Sequence, residues 1–319
     1  MDTWQWCLLV LLVLLLINYV VRMGYDRLLQ PTAHEGFTGD SPQHKGGSNW
    51  LTDELIYDDF YAAACNKIFQ HDALVQGEGA LLLQEWSRGH KDNHHIRVLD
   101  ALSGTGVATC HFAKHGVAKA VGLDKAPSMI RFSKNVVMPA TTLTEPQKEV
   151  IEWREADVYS PFVASQGEFT HACLLFFSVY EVKDLSALFK NLALWIQPGG
   201  GLAIEVVNKH KFEPVPDVAN PWVAVSPQTH AKTRITKSKA VFDTFDYSTD
   251  FELEEDRAEF KEVFKFKDGT KRRQKHVLYM PDISVIIKKA TDMGFMYTKF
   301  VDLRFMGFNY GYMLFFTRV

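Results

Sequence analysis

The feature that most constrains the fold is the run Val98-Leu99-Asp100-Ala101-Leu102-Ser103-Gly104-Thr105-Gly106, an apolar stretch that stops at an acid and passes into a Gly-x-Gly turn. An extended segment, a glycine turn and then a helical pattern, here about Val107 to His115 with Gly116 as its stop, is the opening of a βαβ unit. The pattern recurs down the chain. Lys119 to Leu123 reads as a second strand ending at Asp124, followed by a helix from Ser128 to Asn135, and a third strand is expected over Ile151 to Glu155, just before Asp157. Phe169 to Phe177 is nearly continuous hydrocarbon, as a strand covered on both faces should be. Val182 to Ile196 carries Leu185, Leu188, Leu192 and Trp195 at helical intervals, Pro198-Gly199-Gly200 ends it, and Leu202 to Val207 is another buried strand. Strands alternating with helices imply an α/β fold: an open, doubly wound, Rossmann-like sheet whose ligands bind beyond the carboxyl ends of the strands.

Three consecutive strand ends carry groups suited to one nucleoside-bearing ligand. Gly104 and Gly106 allow close backbone approach at a helix N-terminus. Asp124, 24 residues beyond Asp100, can accept both hydroxyls of a ribose, and Asp157 is placed for an adenine edge. A nicotinamide-dependent dehydrogenase would share these traits, but its fingerprint needs a third Gly or Ala where Thr109 stands, and no Tyr-x-x-x-Lys pair occurs.

The segments VLDALSGTG, VGLDKAPSMIRFSK, READVYSPF and LALWIQPGGGLAIEVV resemble, in order, the motifs of class I S-adenosylmethionine-dependent methyltransferases, and the subgroup resembles the ubiquinone/menaquinone-biosynthesis enzymes. The resemblance covers about residues 52–207, with a family-like ending at 281–319. It implies a seven-stranded sheet closed by an antiparallel C-terminal hairpin, and S-adenosylmethionine as cofactor. It also implies that Asp100, Ser103, Gly104 and Gly106 hold the methionine part, Asp124 and Lys125 lie at the ribose, and Met129, Asp157 and Val158 lie against adenine. Phe177 ends the fourth strand at the same site, and Tyr57 and Tyr61 match tyrosines of a segment that closes over the cofactor. Leu102 stands where many members carry the first glycine.

The 47% hydrophobic content of the 319 residues is unevenly spread. Cys7 to Ile17 is uninterrupted hydrocarbon, and Trp4 to Val21 is close to the minimum length for crossing a bilayer, with aromatic residues at its ends. The residues before it include Asp2 and no Lys or Arg, and no small-x-small site follows, which favours an uncleaved anchor over a signal peptide. The expected organisation is an anchor in 1–30 (helix about 4–21), a Gly/Pro-containing linker over 31–50 and a catalytic domain over 51–319 with a cap inserted at about 208–280. Arg22 and Arg27 place that domain on the cytosolic side of a single-pass protein. Net charge of −3 argues against a bulk nucleic-acid binder, and four cysteines without a CxxC pair argue against a thiolate zinc site. His94, His95, His111 and His115 read as surface or structural histidines rather than metal ligands.

Methyl transfer needs alignment first and a base only where the acceptor must lose a proton. Tyr180 and Glu181, in the loop after the Phe169 strand, and His210, beyond the strand ending at Val207, are the catalytic candidates. That loop lacks the Asn/Asp-Pro-Pro-Tyr signature of adenine or glutamine-amide methylation. In the cap, Asp268-Gly269 marks a hairpin, and an acidic run (250–262) faces a basic one (265–275), read as strand faces pairing their charges, with anionic lipid heads or RNA phosphates as the alternative. Thr52-Asp53-Glu54 is expected to open the first helix, which runs to Ile68. The resulting expectation is a membrane-tethered methyltransferase for a small, apolar or lipid-like acceptor. A catalytically inactive scaffold of the same fold, or a protein or RNA methyltransferase, stands as the alternative.

Overall fold

Val98, Leu99 and Ala101 are fully shielded from solvent, because the strand that carries them, β2 (Arg97–Ala101), lies in the middle of a seven-stranded sheet ordered β11-β12-β6-β5-β2-β3-β4. Around it run β3 (Lys119–Asp124), β4 (Ile151–Glu155), β5 (Phe169–Leu174) and β6 (Ile196–Val207), all parallel; β12 (Gly311–Arg318) pairs antiparallel with β6, and β11 (Phe295–Asp302) pairs antiparallel with β12 at the edge. The computed structural model describes residues 50–69, 71–212, 235–306 and 308–319, which fall within the unit Gly46–Val319. The apolar stretch 4–21 and the linker as far as Asn49 lie outside the described residues, and no helix among the described residues is long and apolar enough to cross a membrane.

The α-helices of six residues or more among the described residues are α1 (Asp59–Phe69), α2 (His71–Trp86), α3 (Val107–Lys114), α4 (Pro127–Phe132), α5 (Leu185–Trp195) and α6 (Ile283–Asp292). Asp184 caps α5 by accepting the N–H groups of Ser186 and Ala187, each at 3.0 Å. Three boundaries depart from the sequence expectation. The first α-helix starts at Asp59 rather than near Thr52, because Leu51–Thr52 form a short strand, β1, and Asp53–Leu55 make only a single 3-10 turn, which opens at a φ of +52°. β5 stops at Leu174 rather than Phe177, because Phe176 and Phe177 are left-handed. β6 begins at Ile196 and takes Pro198-Gly199-Gly200 into the strand through a register shift against β5. Helix α2 gives no sequence signal: its apolar residues gather on no one face, and it contains Gly77 and Gly79, where Met306 and His111 pack too closely for a Cβ.

Between β6 and α6 the chain builds a second sheet. β7 (Lys237–Val241), β8 (Phe245–Glu254), β9 (Arg257–Phe266) and β10 (Lys271–Tyr279) form an antiparallel meander, and β1 joins its far edge parallel to β10. The Asp268-Gly269 turn joins β9 to β10 as expected. The outward charges pair across strands: Lys261 with Glu252 (2.7 Å), Lys275 with Glu259 (2.9 Å) and Lys267 with Asp246 (2.6 Å). The inner face carries aromatic rings together with a few buried polar groups and meets α1, where the Phe60 ring packs edge-on against Phe264 (5.1 Å) and Phe266 (5.3 Å).

Gly106 begins α3 at a φ of +73°, and a Cβ there would sit 2.2 Å from the Trp153 ring. Gly106→Ala is expected to lower unfolding free energy by about 2–4 kcal/mol, combining left-handed strain with overpacking, as read from urea midpoints.

Candidate active site

The chain order β2-β3-β4 proceeds away from the sheet centre and then returns to β5 on the other side of β2, so a crevice opens at the carboxyl ends of β2 and β5. Two adjoining cavities occupy it. The first reaches from the Ser103-Gly104 turn across Met129 and Phe177 to the rings of Phe260 and Phe308. The other is lined by Asp157, Val158, Tyr159 and Lys183. Tyr57, Leu102, Lys125, Glu181 and His276 border both, so they form the partition between them.

The glycine turn holds its shape through its own backbone and through Asp124. Gly106 N–H donates to the Ser103 carbonyl (2.9 Å), Ser103 N–H to that of Leu123 (2.8 Å), and Gly104 N–H to Asp124 Oδ2 (2.8 Å). Asp124 Oδ1 accepts the N–H of Ala126 (2.9 Å). Burial outweighs these bonds and raises the Asp124 carboxyl to about 6. Leu102 adopts a φ of +60°, so the left-handed conformation that glycine would supply is kept despite the side chain. A Cβ on Gly104 would meet nothing within 4 Å, so this side of the turn faces open space.

On the β5 side, Phe176 (φ +53°) and Phe177 (φ +61°) are fixed from below by Glu205 of β6, whose carboxylate accepts both of their N–H groups. Burial raises Glu205 to about 7, and the neighbouring buried Glu78 is raised by burial and then by Glu205. Tyr180 is buried, and its hydroxyl accepts the Val207 N–H at 2.8 Å, tying this loop to the end of β6. The exposed Glu181 accepts the Tyr57 hydroxyl at 2.7 Å. Burial, and then Glu181, push the Tyr57 hydroxyl well above 10, so it stays protonated.

The cap contributes a buried polar network. On β10 the alternation of the strand turns Arg272, Gln274 and His276 inward, and on β9 it turns Glu262 inward. Glu262 is wholly shielded and accepts from Gln274 Nε2 (2.6 Å), His276 Nε2 (2.6 Å) and the Tyr247 hydroxyl. Burial drives Glu262 up, but His276 and these hydrogen bonds more than offset it and hold the carboxyl below its usual value. Arg272 reaches the Ile56 carbonyl (2.8 Å) and Asp58, and His276 Nδ1 lies 3.4 Å from the Tyr57 hydroxyl. The cap thus grips the segment that carries Tyr57.

Of the residues expected from sequence, Ser103, Gly104, Asp124, Lys125, Met129, Phe177, Tyr61, Tyr180 and Glu181 line the first cavity, and Asp157 and Val158 the other. Asp100 does not reach either wall. It is buried beneath the turn, accepting the Thr109 hydroxyl at 2.7 Å, with burial raising it to about 7. Gly106 sits against Trp153 rather than on a wall. His210 is corrected: it is exposed, off both walls, and only its backbone N–H bonds locally, to Asn208. His276 and Glu262 were missed because the run Lys271 to Lys275 reads as basic. Its signal was the two-residue period that sends Lys271, Arg273 and Lys275 outward and Arg272, Gln274 and His276 inward.

A family profile described as a methyltransferase domain matches residues 75–245. The CcbJ methyltransferase from Streptomyces caelestis is similar at 11% identity and a TM-score of 0.59, over 76% of this chain and 88% of that one. An S-adenosylmethionine-dependent methyltransferase from Clostridium acetobutylicum aligns at 13% identity and a TM-score of 0.55, over 82% and 98%. The S-adenosylmethionine-bound CalS10, an amino pentose methyltransferase from Micromonospora echinaspora, aligns at 16% identity and a TM-score of 0.53, over 77% and 92%. No curated protein sequence matches significantly. The chain belongs to the methyltransferase-domain family, and its cofactor is S-adenosylmethionine. The cleft has features that fit such a ligand: Ser103 Oγ and Ser178 Oγ are buried on the cavity wall with no hydrogen-bond partner among the described residues, and Gly104 presents an open face.

Three buried carboxyls, Asp100, Asp124 and Glu205, bind protons in the folded state at pH values where unfolded carboxyls are already ionised. Their folded values lie above the unfolded ones, so unfolding free energy should fall as pH rises from about 4 to 7. Urea titrations at successive pH values should show this slope, and Glu205→Gln should flatten it by up to about 1.4 kcal/mol per pH unit near pH 6.

Proposed function

We propose that the protein transfers methyl groups to a small, apolar or lipid-like acceptor, and that its N-terminal stretch tethers it to a membrane. The observation that carries this is the make-up of the first cavity. One end is the polar Ser103-Gly104 turn, and the other is aromatic, with Phe177 packed at 5.6 Å from Phe212 and 5.4 Å from Phe308 and the cap residues Leu278 and Met280 alongside. A largely apolar chamber selects acceptors by area removed from water, at roughly 25 cal/mol per Å². The run Trp4 to Val21, flanked by aromatic residues and followed by Arg22, supports the tether, with the catalytic domain on the cytosolic side.

In this reading Asp124 accepts the ribose hydroxyls, Asp157, Val158 and Met129 surround the adenine, and Ser103, Gly104 and Ser178 meet the methionine end. S-adenosylmethionine supplies an electrophilic methyl group on a sulfonium. The chain's own part is to exclude water, align acceptor and methyl, and hold the divider formed by Tyr57 and Glu181. The solved structures named above, one of them an amino pentose methyltransferase, favour a small molecule over RNA or protein.

Asp124→Ala should weaken S-adenosylmethionine binding by about tenfold to a hundredfold in calorimetry, the range of roughly 1.5–3 kcal/mol for bonds to a charged group. Affinity should also fall as pH drops through about 6, where this carboxyl takes up a proton. Incubating the full chain with methyl-tritiated cofactor and a total membrane extract should place label in the organic phase. Label in protein or RNA would overturn the acceptor class, and cofactor binding with no label anywhere would indicate a scaffold.

A further inference from the structure

We propose that His276, delivered by the cap rather than by the methyltransferase sheet, is the general base of the reaction, so that the acceptor presents an O–H or N–H to the methyl donor. This rests on the methyltransferase reading of the cleft. It adds the base, and with it the acceptor atom.

The geometry that supports this is a carboxylate–imidazole pair aimed from the cap into the cleft. Glu262 Oε2 lies 2.6 Å from His276 Nε2, and the carboxylate is wholly shielded from solvent. A carboxylate that accepts also from Tyr247 and Gln274 is an acceptor on all sides, so Nε2 carries the hydrogen of the neutral ring. Nδ1 is then the basic nitrogen. It lies at the partition bordering both cavities, 3.4 Å from the Tyr57 hydroxyl. The hydrogen of Tyr57 is directed to Glu181 at 2.7 Å, so Nδ1 keeps a free lone pair, and the Tyr57 oxygen can receive the Nδ1 hydrogen once the ring is charged. This is the arrangement in which a carboxylate fixes the tautomer and stabilises the imidazolium. Neither Tyr180, engaged with Val207, nor the exposed His210 has a comparable placement.

In the transfer step the acceptor's O–H or N–H bond breaks and its hydrogen bonds to His276 Nδ1. The pair left on the acceptor takes up the methyl carbon, while sulfur keeps the pair of its broken carbon bond. The proton leaves to water after product release. Glu262 touches no substrate and acts as a positioning residue. The charged and titratable groups around the ring are Glu262 on β9, Arg272 on its own strand, Tyr57 and Tyr61 from the N-terminal segment, and Glu181 from the loop after β5. Burial lowers the basicity of His276, but the charge and hydrogen bond of Glu262 outweigh it, so the imidazole titrates above 6.5.

Two measurements test this on the full chain. Nitrogen-15 NMR of histidine-labelled protein, with the His276 signal assigned by its loss in His276→Gln, should show Nε2 protonated and Nδ1 bare in the neutral ring. The midpoint should lie above 6.5 and move to lower pH in Glu262→Gln. An Nδ1-protonated neutral ring, or a midpoint unmoved in Glu262→Gln, overturns the proposal without reference to any acceptor. For the labelled product of the membrane extract, the wild-type rate should rise with pH through the same midpoint. His276→Gln should lose at least about 100-fold in turnover while binding S-adenosylmethionine within about threefold of wild type. Turnover close to that of wild type sinks the base assignment. Loss of cofactor binding by the unaltered protein would instead sink the methyltransferase reading beneath it.

Discussion

Glu262 is the interaction on which the arrangement of the cleft depends. A carboxylate with no solvent contact is costly unless every lone pair is used, and here Tyr247, Gln274 and His276 use them. Because these donors come from β8 and β10, the bonds lock three adjacent strands of the cap in one register. Arg272 extends the lock by holding Asp58 and the Ile56 carbonyl, which fixes Tyr57 at the partition between the cavities. Tyr57 in turn engages Glu181 on the loop after β5. A chain of hydrogen bonds therefore runs from the cap through the N-terminal segment to the sheet.

The second constraint is backbone strain, and it gathers at the same place. Leu102, Phe176 and Phe177 all take left-handed angles on the cavity wall. Each costs of order 1–2 kcal/mol and persists only where the surroundings enforce it. Glu205 supplies that enforcement for the phenylalanines by accepting both of their N–H groups. For Leu102 the neighbouring bonds of Ser103 and Gly104, to Leu123 and Asp124, perform the same task.

What the sequence revealed and what it hid divide along a physical line. The sheet strands were readable because burial on both faces leaves unbroken hydrocarbon, and the acids at their ends were readable because they interrupt it at fixed spacing. Asp124, Asp157 and the glycine turn are of this kind. Local pattern could not reveal where a strand stops for a tertiary reason, as at Phe176, or that a helix with Gly77 and Gly79 in its middle is sustained by its neighbours. His276 was hidden differently. Three inward polar side chains interleave with three outward cations, and a charge count merges the two faces. His210 attracted attention only by following a strand end, and proximity in sequence did not bring it to the cavity.

The meander is a single continuous stretch leaving after β6 and returning before α6. Glu262, Arg272, Gln274 and His276 all lie past residue 245, where the match to the methyltransferase family ends, and Tyr57 lies before residue 75, where it begins. The matched stretch therefore carries the glycine turn and Asp124, while the buried polar network of the cap and Tyr57 stand outside it. A comparison confined to the matched residues leaves out His276 and Tyr57, two of the groups that border both cavities.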